Sequence, residues 1–257
     1  MNVQIEKKIE KIIFDFVSKY MENPDIKTSW KKPLVAFASA DDPLFQKLKE
    51  VANPNHLIPD DILMGAKSVI TYFLPFDESI PISNMNGRNS SKEWARAYVD
   101  TNILIAKLND YLIETIKGME ARAAKLNPNL NMDYEKLISV WSNRHVAYIS
   151  GLGTFGLNNM LITKNGCCGR LGNLVTDLEL KPTKRPEHEY CLYKFNESCA
   201  YCVDKCVNDA LFKDRFDRFK CFEMCLENEK LHNDLKDEAQ VCGKCLTVVP
   251  CSFNNPV

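Results

Sequence analysis

The sequence predicts a mixed α/β (α+β) domain followed by a small cysteine-rich module. Residues 1–186 alternate between segments with helical spacing of apolar residues and short apolar runs typical of buried strands. A stretch rich in proline and basic residues, 181–186, is typical of a linker. All 11 cysteines lie at or after Cys167. We therefore expect an α/β domain at 1–186 and a separate module at 187–257.

The first part of the chain shows clear signals for helices and strands. Apolar residues recur at helical spacing up to about Tyr20, which predicts an amphipathic helix. The apolar runs 34–38 and 68–74 are typical of strands. Between them, Asp42 followed by proline combines an N-cap with proline at the first helical position. This pair predicts a helix that ends near Val51.

The middle of the chain is predicted to contain a long helix. Ser90 and Glu93 can form a capping box, which would open a helix that continues to about Ile116. A short strand is expected at 137–141. Ser142 can then cap a further helix.

A glycine-rich segment follows, in which Gly151, Gly153 and Gly156 give the spacing G-x-G-x-x-G. That spacing occurs in dinucleotide-binding loops, but such a loop follows a strand and opens a helix. Here the preceding residues have helical spacing, and MLIT (160–163) and NLVTDLEL (173–180) are typical of strands. We therefore reject nicotinamide binding. Two interpretations stay open: a helix C-cap with a tight loop, or a backbone that a large flat ligand approaches closely.

The overall composition restricts the functional classes. The formal net charge is −1, so no global basic excess indicates nucleic-acid binding. No apolar run has the length of a membrane span, and the acidic residues near the amino terminus do not fit a signal peptide. We therefore expect a cytoplasmic protein without a membrane partner.

Two cysteine runs give the strongest functional signal. The run 199–206 has the spacing C-x2-C-x3-C, and the run 242–251 has the spacing C-x2-C-x5-C. Bacterial two-cluster ferredoxins use C-x2-C-x2-C-x3-C, whose fourth cysteine binds the other cluster. The first run matches the last three positions of that motif. Its first position falls on Asn196, and Cys191 is the nearest upstream substitute.

Crossing the ligands as in these ferredoxins divides eight cysteines into two sets of four. The first 4Fe–4S cluster is assigned to Cys191, Cys199, Cys202 and Cys251. The second 4Fe–4S cluster is assigned to Cys206, Cys221, Cys242 and Cys245. The cysteines that remain are Cys167, Cys168 and Cys225.

Two alternatives to iron–sulfur clusters stay open. Zinc could be bound by the C-x2-C pairs at 199–202 and 242–245, although the gap between them is longer than in zinc ribbons. The thiols could also be unliganded. For Cys167 and Cys168, inert buried thiols are one interpretation, and contact with a cofactor or substrate pocket is the other.

The segment AYISGLGTFGLNNMLIT, the following TDLEL, and the motifs CAYCVDKC and CGKC together resemble the epoxyqueuosine reductase family. The chain is also similar, more distantly, to the reductive dehalogenases. This resemblance implies a nitroreductase-like α/β domain fused to a two-cluster ferredoxin-like module. It also implies a base-off cobalamin between them, which receives electrons from the clusters. The cobalamin-facing residues would be Gly151, Gly153, Gly156 and Asn158.

The resemblance also suggests catalytic residues on the long predicted helix. Asp100 is the nearest match to the catalytic aspartate of the family, and Tyr98 could donate a proton instead. Both could equally be helix surface residues. His145, six residues before the glycine segment, could approach the corrinoid, although a structural histidine is the alternative.

The chain departs from the family pattern in three ways that bear on its partners. Val207 follows Cys206 where the family has proline, and Asn196 replaces the first cluster cysteine. The reductase that acts on tRNA carries a C-terminal helical-repeat region, which we do not find before Val257. We therefore expect a small-molecule or unknown substrate rather than tRNA. An electron donor such as flavodoxin or ferredoxin could dock on the basic residues of 181–186.

These observations lead to a main functional hypothesis and two alternatives. The main hypothesis is an iron–sulfur oxidoreductase that passes electrons to a bound corrinoid and then to a substrate. The first alternative is an iron–sulfur protein without cobalamin, which relays electrons to a partner protein. The second is a zinc-stabilised binding protein.

Overall fold

The computed structural model describes residues 3–127 and 130–257. Its helices are α1 Val3–Met21, α2 Pro43–Val51, α3 Pro59–Ile62, α4 Ser79–Ser83, α5 Lys92–Lys117, α6 Asn143–Ile149, α7 Leu192–Asn196, α8 Tyr201–Asp204 and α9 Arg218–Leu231, with a short 3-10 helix at Lys244–Leu246. Its strands are β1 Leu34–Ser39, β2 Ser68–Pro75, β3 Ala123–Ala124, β4 Met132–Asp133, β5 Ile138–Ser139, β6 Gly153–Phe155, β7 Leu161–Thr163 and β8 Gly169–Thr176.

A four-stranded antiparallel sheet with the order β1-β2-β8-β3 forms the centre of the fold. β2 lies between β1 and β8, and every one of its residues is buried. Its register places Phe73 opposite Leu34 and Ser68 opposite Thr176. The two strands predicted from the apolar runs 34–38 and 68–74 are therefore confirmed, and so is the mixed α/β class.

The strand predicted at 173–180 is placed differently in the structure. β8 covers 169–176, and the chain leaves the sheet at Asp177. The side chain of Asp177 accepts hydrogen bonds from the backbone and side chain of Arg122. The amide of Leu180 donates to the hydroxyl of Ser68. Leu178 and Leu180, at the end of the predicted run, therefore lie beyond the strand.

Most predicted helix starts agree with the structure, and one is shifted. Asp42 caps α2 by accepting from the amide of Leu44 at 3.0 Å. The long helix α5 begins after Ser91, whose hydroxyl accepts from the amide of Trp94 at 3.1 Å. The prediction of Ser90 as its cap was wrong, because the hydroxyl of Ser90 instead contacts the ring of His232.

The glycine-rich segment forms a helix end followed by a hairpin. Gly151 lies just after α6 with φ of +85°, which is the usual conformation of a glycine that terminates a helix. Gly153 begins β6, which pairs with β7 in antiparallel fashion. The segment follows a helix and opens a strand, so it differs from the strand–loop–helix arrangement of a dinucleotide-binding loop, as the sequence predicted.

The sheet carries helices on both faces. α1 and α5 cover one face, where Ile13 and Leu108 pack with Tyr72 of β2 in the main core. α2 and α6 lie on the opposite face, where Phe45 stacks on Trp141. Residues from the cysteine-rich part, including Val241 and Leu246, belong to the main core as well.

Across residues 3–127 and 130–257, we find no helix with the length and apolar character needed to span a membrane.

Candidate metal and cofactor site

Four cysteines assigned to the first cluster line one cavity. Together with Gly156, Asn158 and Val249, its walls contain Cys191, Cys199, Cys202 and Cys251. Burial, together with the charges of the neighbouring Cys251, Cys191 and Cys199, raises the pKa of Cys202 to about 12. Protonated thiols are therefore favoured unless a cation binds between them. We call these four residues the first thiol group.

Five cysteines line a second, larger cavity. Four of them are those assigned to the second cluster, which we call the second thiol group; the five are Cys206, Cys221, Cys225, Cys242 and Cys245. Burial raises the pKa of Cys242 to about 11. Burial likewise raises the pKa of Cys245, whose cysteine neighbours include Cys242 and Cys221.

The elements that carry these thiols are short and closely packed. Cys202 lies in α8, which contacts the 3-10 helix that contains Cys245. Gly243 has φ of +72°, and a Cβ there would lie 2.3 Å from the indole ring of Trp94. The loop between Cys242 and Cys245 therefore lies directly on α5, and only glycine fits at that contact.

Hydrogen bonds fix the loops around the second thiol group. The amide of Ala210 donates to the sulfur of Cys206 at 3.3 Å. The side-chain amide of Asn158 donates to the carbonyl of Cys245 at 3.2 Å. Asn158 also lines both cavities, so it connects the glycine hairpin to the two thiol groups.

Two of the remaining cysteines lie against the second cysteine run. The sulfur of Cys167 is 4.0 Å from that of Cys251, and its amide donates to the Cys251 carbonyl. The thiol of Cys168 donates to the carbonyl of Leu246 at 3.2 Å. Both are buried. Sequence spacing could not indicate these contacts, because β8 and the chain terminus meet only in the folded chain.

The donor sets fit iron–sulfur chemistry. Each cavity presents at least four thiols, and 4Fe–4S clusters are held by four cysteine thiolates. Among the residues that the structure describes, we find no group of three or more His, Cys, Asp or Glu side chains arranged to hold a single metal ion.

The second cavity extends beyond the thiols and has a volume of about 420 Å³. Aromatic side chains line it, among them Trp94 and Tyr98. Arg170 lies over the ring of Tyr98 at 4.0 Å. Within the described part of the chain, the charged side chains of the lining are all basic: Arg144, Arg170, Arg218 and Lys244. A cavity of this size and character is typical of small-molecule sites.

Two buried donors on this lining have no hydrogen-bond partner among the described residues. They are the indole nitrogen of Trp94 and the Nε atom of Arg170. Buried donors are normally paired, so an occupant with acceptor atoms would stabilise this wall. The cavity therefore fits a cofactor or substrate that carries oxygen acceptors.

The two catalytic candidates lie in different environments. Tyr98 lines the larger cavity. Asp100 accepts a hydrogen bond from the hydroxyl of Thr28 at 2.6 Å and raises the pKa of Tyr20 in α1 through its charge. The structure therefore places Tyr98 beside the second thiol group and Asp100 outside the lining of that cavity.

The three glycines of the predicted cofactor loop are packed against protein atoms. A Cβ would lie 3.0 Å from the Lys184 carbonyl at Gly151 and 1.9 Å from the Ile162 carbonyl at Gly153. At Gly156 it would lie 2.6 Å from the side-chain oxygen of Asn158. Of these glycines, Gly156 also lines the first cavity.

His145 packs beside the hairpin. Its Nδ1 atom lies 2.7 Å from the Ser142 hydroxyl, and its ring lies 4.9 Å from that of Phe155. Burial lowers the pKa of His145 to about 4, and the charge of Arg144 contributes. The adjacent Arg144 lines the larger cavity and donates to the Asn159 carbonyl at 2.7 Å. The Arg144 side chain is exposed to solvent.

Fold and site together define a mixed α/β protein with two thiol-lined cavities, the larger of which adjoins an aromatic, basic pocket. No family model matches the chain. Curated relatives that resemble it include two proteins named epoxyqueuosine reductase. The one from Cyclobacterium marinum is 28% identical over 222 residues, which cover 82% of this chain and 67% of the relative. The one from Leadbetterella byssophila is 25% identical over 221 residues, which cover 82% and 68%.

Solved structures share the same fold. Epoxyqueuosine reductase from Streptococcus thermophilus has a TM-score of 0.59 at 16% identity and covers 100% of this chain and 68% of that one. The Bacillus subtilis enzyme gives 0.60 at 16%, with coverage of 99% and 67%. A catabolic reductive dehalogenase gives 0.55 at 16%, with coverage of 87% and 30%.

The resemblance inferred from the sequence motifs is thus confirmed: the chain is similar to epoxyqueuosine reductases and, more distantly, to a reductive dehalogenase. It spans about two thirds of the length of the curated relatives that it matches.

Proposed function

We propose that this protein is an iron–sulfur reductase that passes electrons through two 4Fe–4S clusters to a bound corrinoid and then to a substrate. The observation that carries this proposal is the placement of the cysteines. Each set of four that the ferredoxin spacing assigns to one cluster lines one cavity. The names of the curated relatives support a reductase.

The arrangement of the cavities suggests an order for electron transfer. The second thiol group adjoins the aromatic pocket, so its cluster would be the inner one, and the first thiol group would hold the outer one. When bound, the clusters would supply single electrons, and a corrinoid would supply the reduction of the substrate. Within this pocket, Tyr98 is the residue that we propose as proton donor.

A flavodoxin or ferredoxin in the cytoplasm is the electron donor that we propose. The basic segment 181–186 is the candidate contact. Two basic side chains of this segment already form ion pairs within the protein: Arg185 with Asp42 at 2.5 Å, and Lys184 with Glu187.

Anaerobic titration with hydroxocobalamin tests the corrinoid part of the proposal. The iron-loaded protein should shift the absorbance of the corrinoid to that of a base-off form. Met160→Trp should weaken this binding without loss of iron, because Met160 lines the pocket. Met85→Trp is the matched control, because Met85 is an exposed methionine outside that lining. Absence of any spectral shift with the iron-loaded protein would reject the corrinoid.

One observation favours a second candidate, an electron-transfer protein without cobalamin. The Cβ positions of Gly151 and Gly153 lie against protein backbone atoms, so packing within the protein accounts for these two glycines without a flat ligand. This candidate predicts a full iron content, no corrinoid binding, and electron exchange with a partner protein.

A further inference from the structure

The second cavity contains one thiol more than a cluster requires. A 4Fe–4S cluster takes four cysteine ligands, whereas five cysteines line this cavity. Three of them are fixed by their surroundings. Cys206 accepts from the amide of Ala210. Cys242 and Cys245 flank Gly243, which packs on the indole ring of Trp94. The choice of the fourth ligand therefore lies between Cys221 and Cys225.

Cys221 and Cys225 occupy equivalent positions on α9. They lie four residues apart, and side chains at this spacing are neighbours on one face of a helix. Both are half-buried and line the cavity. A change of ligand from one to the other thus requires new side-chain rotamers but no refolding of the helix.

Both thiols also face the same partners. Cys225 has Cys242 and Cys245 among its electrostatic neighbours. Cys221 likewise interacts electrostatically with Cys242 and Cys245. Both thiols therefore line the same cavity as Cys206, Cys242 and Cys245.

We propose that Cys221 and Cys225 are interchangeable fourth ligands of the second cluster, which rests on the proposed iron–sulfur function. In the exchange, the bond between iron and the Cys221 sulfur breaks and a bond to the Cys225 sulfur forms. The proton of the Cys225 thiol moves to Cys221. No electron is gained or lost, and the thiol that is not bound stays protonated next to the cluster.

Iron analysis and electron paramagnetic resonance of anaerobically purified variants test this proposal. Wild type, Cys221→Ala and Cys225→Ala should each hold about eight iron atoms, and the double variant about four. Cys199→Ala is the matched control for cluster loss, because only four cysteines are among the described residues that line the first cavity, and it should also hold about four iron atoms. Cys221→Ala should show an altered resonance of one reduced cluster, because the ligand geometry changes.

A loss of half the iron from Cys221→Ala, with full iron in wild type and Cys225→Ala, would overturn the proposal and leave the two-cluster function intact. A wild type without iron after reconstitution would reject both.

A labelling measurement on the wild type gives an answer even if a variant fails to fold. Treatment of the iron-loaded protein with iodoacetamide should label one of these two thiols in each molecule, Cys221 in some molecules and Cys225 in others. Tandem mass spectrometry locates the label. A label on Cys225 alone would show that Cys221 never leaves the cluster, which contradicts the exchange.

Discussion

Asn158 connects three parts of the site through one side chain. Its amide nitrogen donates to the carbonyl of Cys245, and its oxygen accepts from the amide of Met160 at 3.1 Å. It is buried and lines both thiol cavities. It was proposed from the family resemblance as a cofactor residue. The structure gives it a further role, because it holds the cysteine loop on the hairpin.

Replacement of Asn158 should destabilise the protein before any cofactor is considered. Asn158→Ala leaves the buried Cys245 carbonyl and Met160 amide without this partner, so the free energy of unfolding should fall by about 1–3 kcal/mol. Urea unfolding measures this change. Asn254→Ala is the control, because Asn254 is exposed, and its effect should stay within about 0.5 kcal/mol. Equal effects for the two variants would contradict a structural role for Asn158.

Two histidines, the buried His56 and the half-buried His145, should make the fold sensitive to acid. Burial lowers the pKa of His145 from 6.5 to about 4 and lowers that of His56 as well. The unfolded chain binds protons at these sites below about pH 6.5, whereas folded His145 binds its proton only near pH 4. The free energy of unfolding should therefore decrease as the pH falls from 6.5 to 4.

His145→Phe provides the test of this pH dependence. Phenylalanine keeps an aromatic ring next to Phe155 but cannot take up a proton. Urea unfolding at several pH values should show a smaller loss of stability between pH 6.5 and 4 than in wild type. Identical slopes for the two proteins would mean that His145 does not contribute.

Tyr98 and Asp100 show what could not be predicted at the scale of single residues. Both lie on α5, and the helical spacing predicted that helix correctly. Residues two apart on a helix point in different directions. Which of them faces the pocket depends on how α5 packs against α1 and the cysteine loop. That packing involves contacts between residues distant in sequence. The sequence pattern could therefore identify both residues as candidates but could not show which of them faces the pocket.

Among the elements, the β6–β7 hairpin explains the glycine spacing by close packing. The Cβ position of Gly153 is only 1.9 Å from the Ile162 carbonyl of the paired strand. Sequence analysis left open whether these glycines serve a loop or a flat ligand. The choice between these two interpretations depended on the position of the partner strand, which the spacing of the glycines does not reveal.

Gly153→Ala should therefore destabilise the protein without cofactor by about 1–3 kcal/mol, the usual cost of overpacking. Thermal or urea unfolding of the apoprotein measures this. Gly118→Ala is the control, because its Cβ would lie 3.3 Å from the Thr115 carbonyl at an ordinary helical φ. A Gly153 variant with unchanged apoprotein stability and weaker corrinoid binding would favour the ligand interpretation instead.

Strands and helices with continuous patterns were predicted best. β2 is buried on both faces, so its sequence is mostly apolar, and proline marks its end. β8 was placed four residues too late, because the apolar residues Leu178 and Leu180 pack against the main core after the strand has ended. Burial alone does not distinguish a strand from the segment that follows it.

At the scale of the whole molecule, both cavities are built from segments that are far apart in sequence. The first joins the hairpin residues 156–158, the segment 191–202 and the C-terminal residues 249–251. The ferredoxin spacing could assign cysteines to each set, because it reflects the geometry of the cluster. The extra thiol of Cys225 in the second cavity could not be assigned, because no such spacing includes it.

Cluster removal should weaken the fold, since the ligands of each cluster come from segments that are far apart in sequence and metal binding joins them. Treatment with an oxidant and a chelator should lower Tm by at least about 2–4 °C, the shift that 1 kcal/mol gives in a chain of this size. Calorimetry measures Tm before and after treatment. A triple variant, Cys202→Ala with Cys242→Ala and Cys245→Ala, is the control, because it leaves three cysteines on each lining, and it should not respond. An unchanged Tm in wild type would show that the clusters do not contribute to stability.

The most direct test of the two-cluster account is iron and acid-labile sulfide analysis of protein purified without oxygen. We expect about eight iron atoms and eight sulfides per chain. The protein should also show a broad absorbance band at about 400 nm that decreases when dithionite reduces the clusters. Zinc in place of iron, or iron without sulfide, would contradict the account.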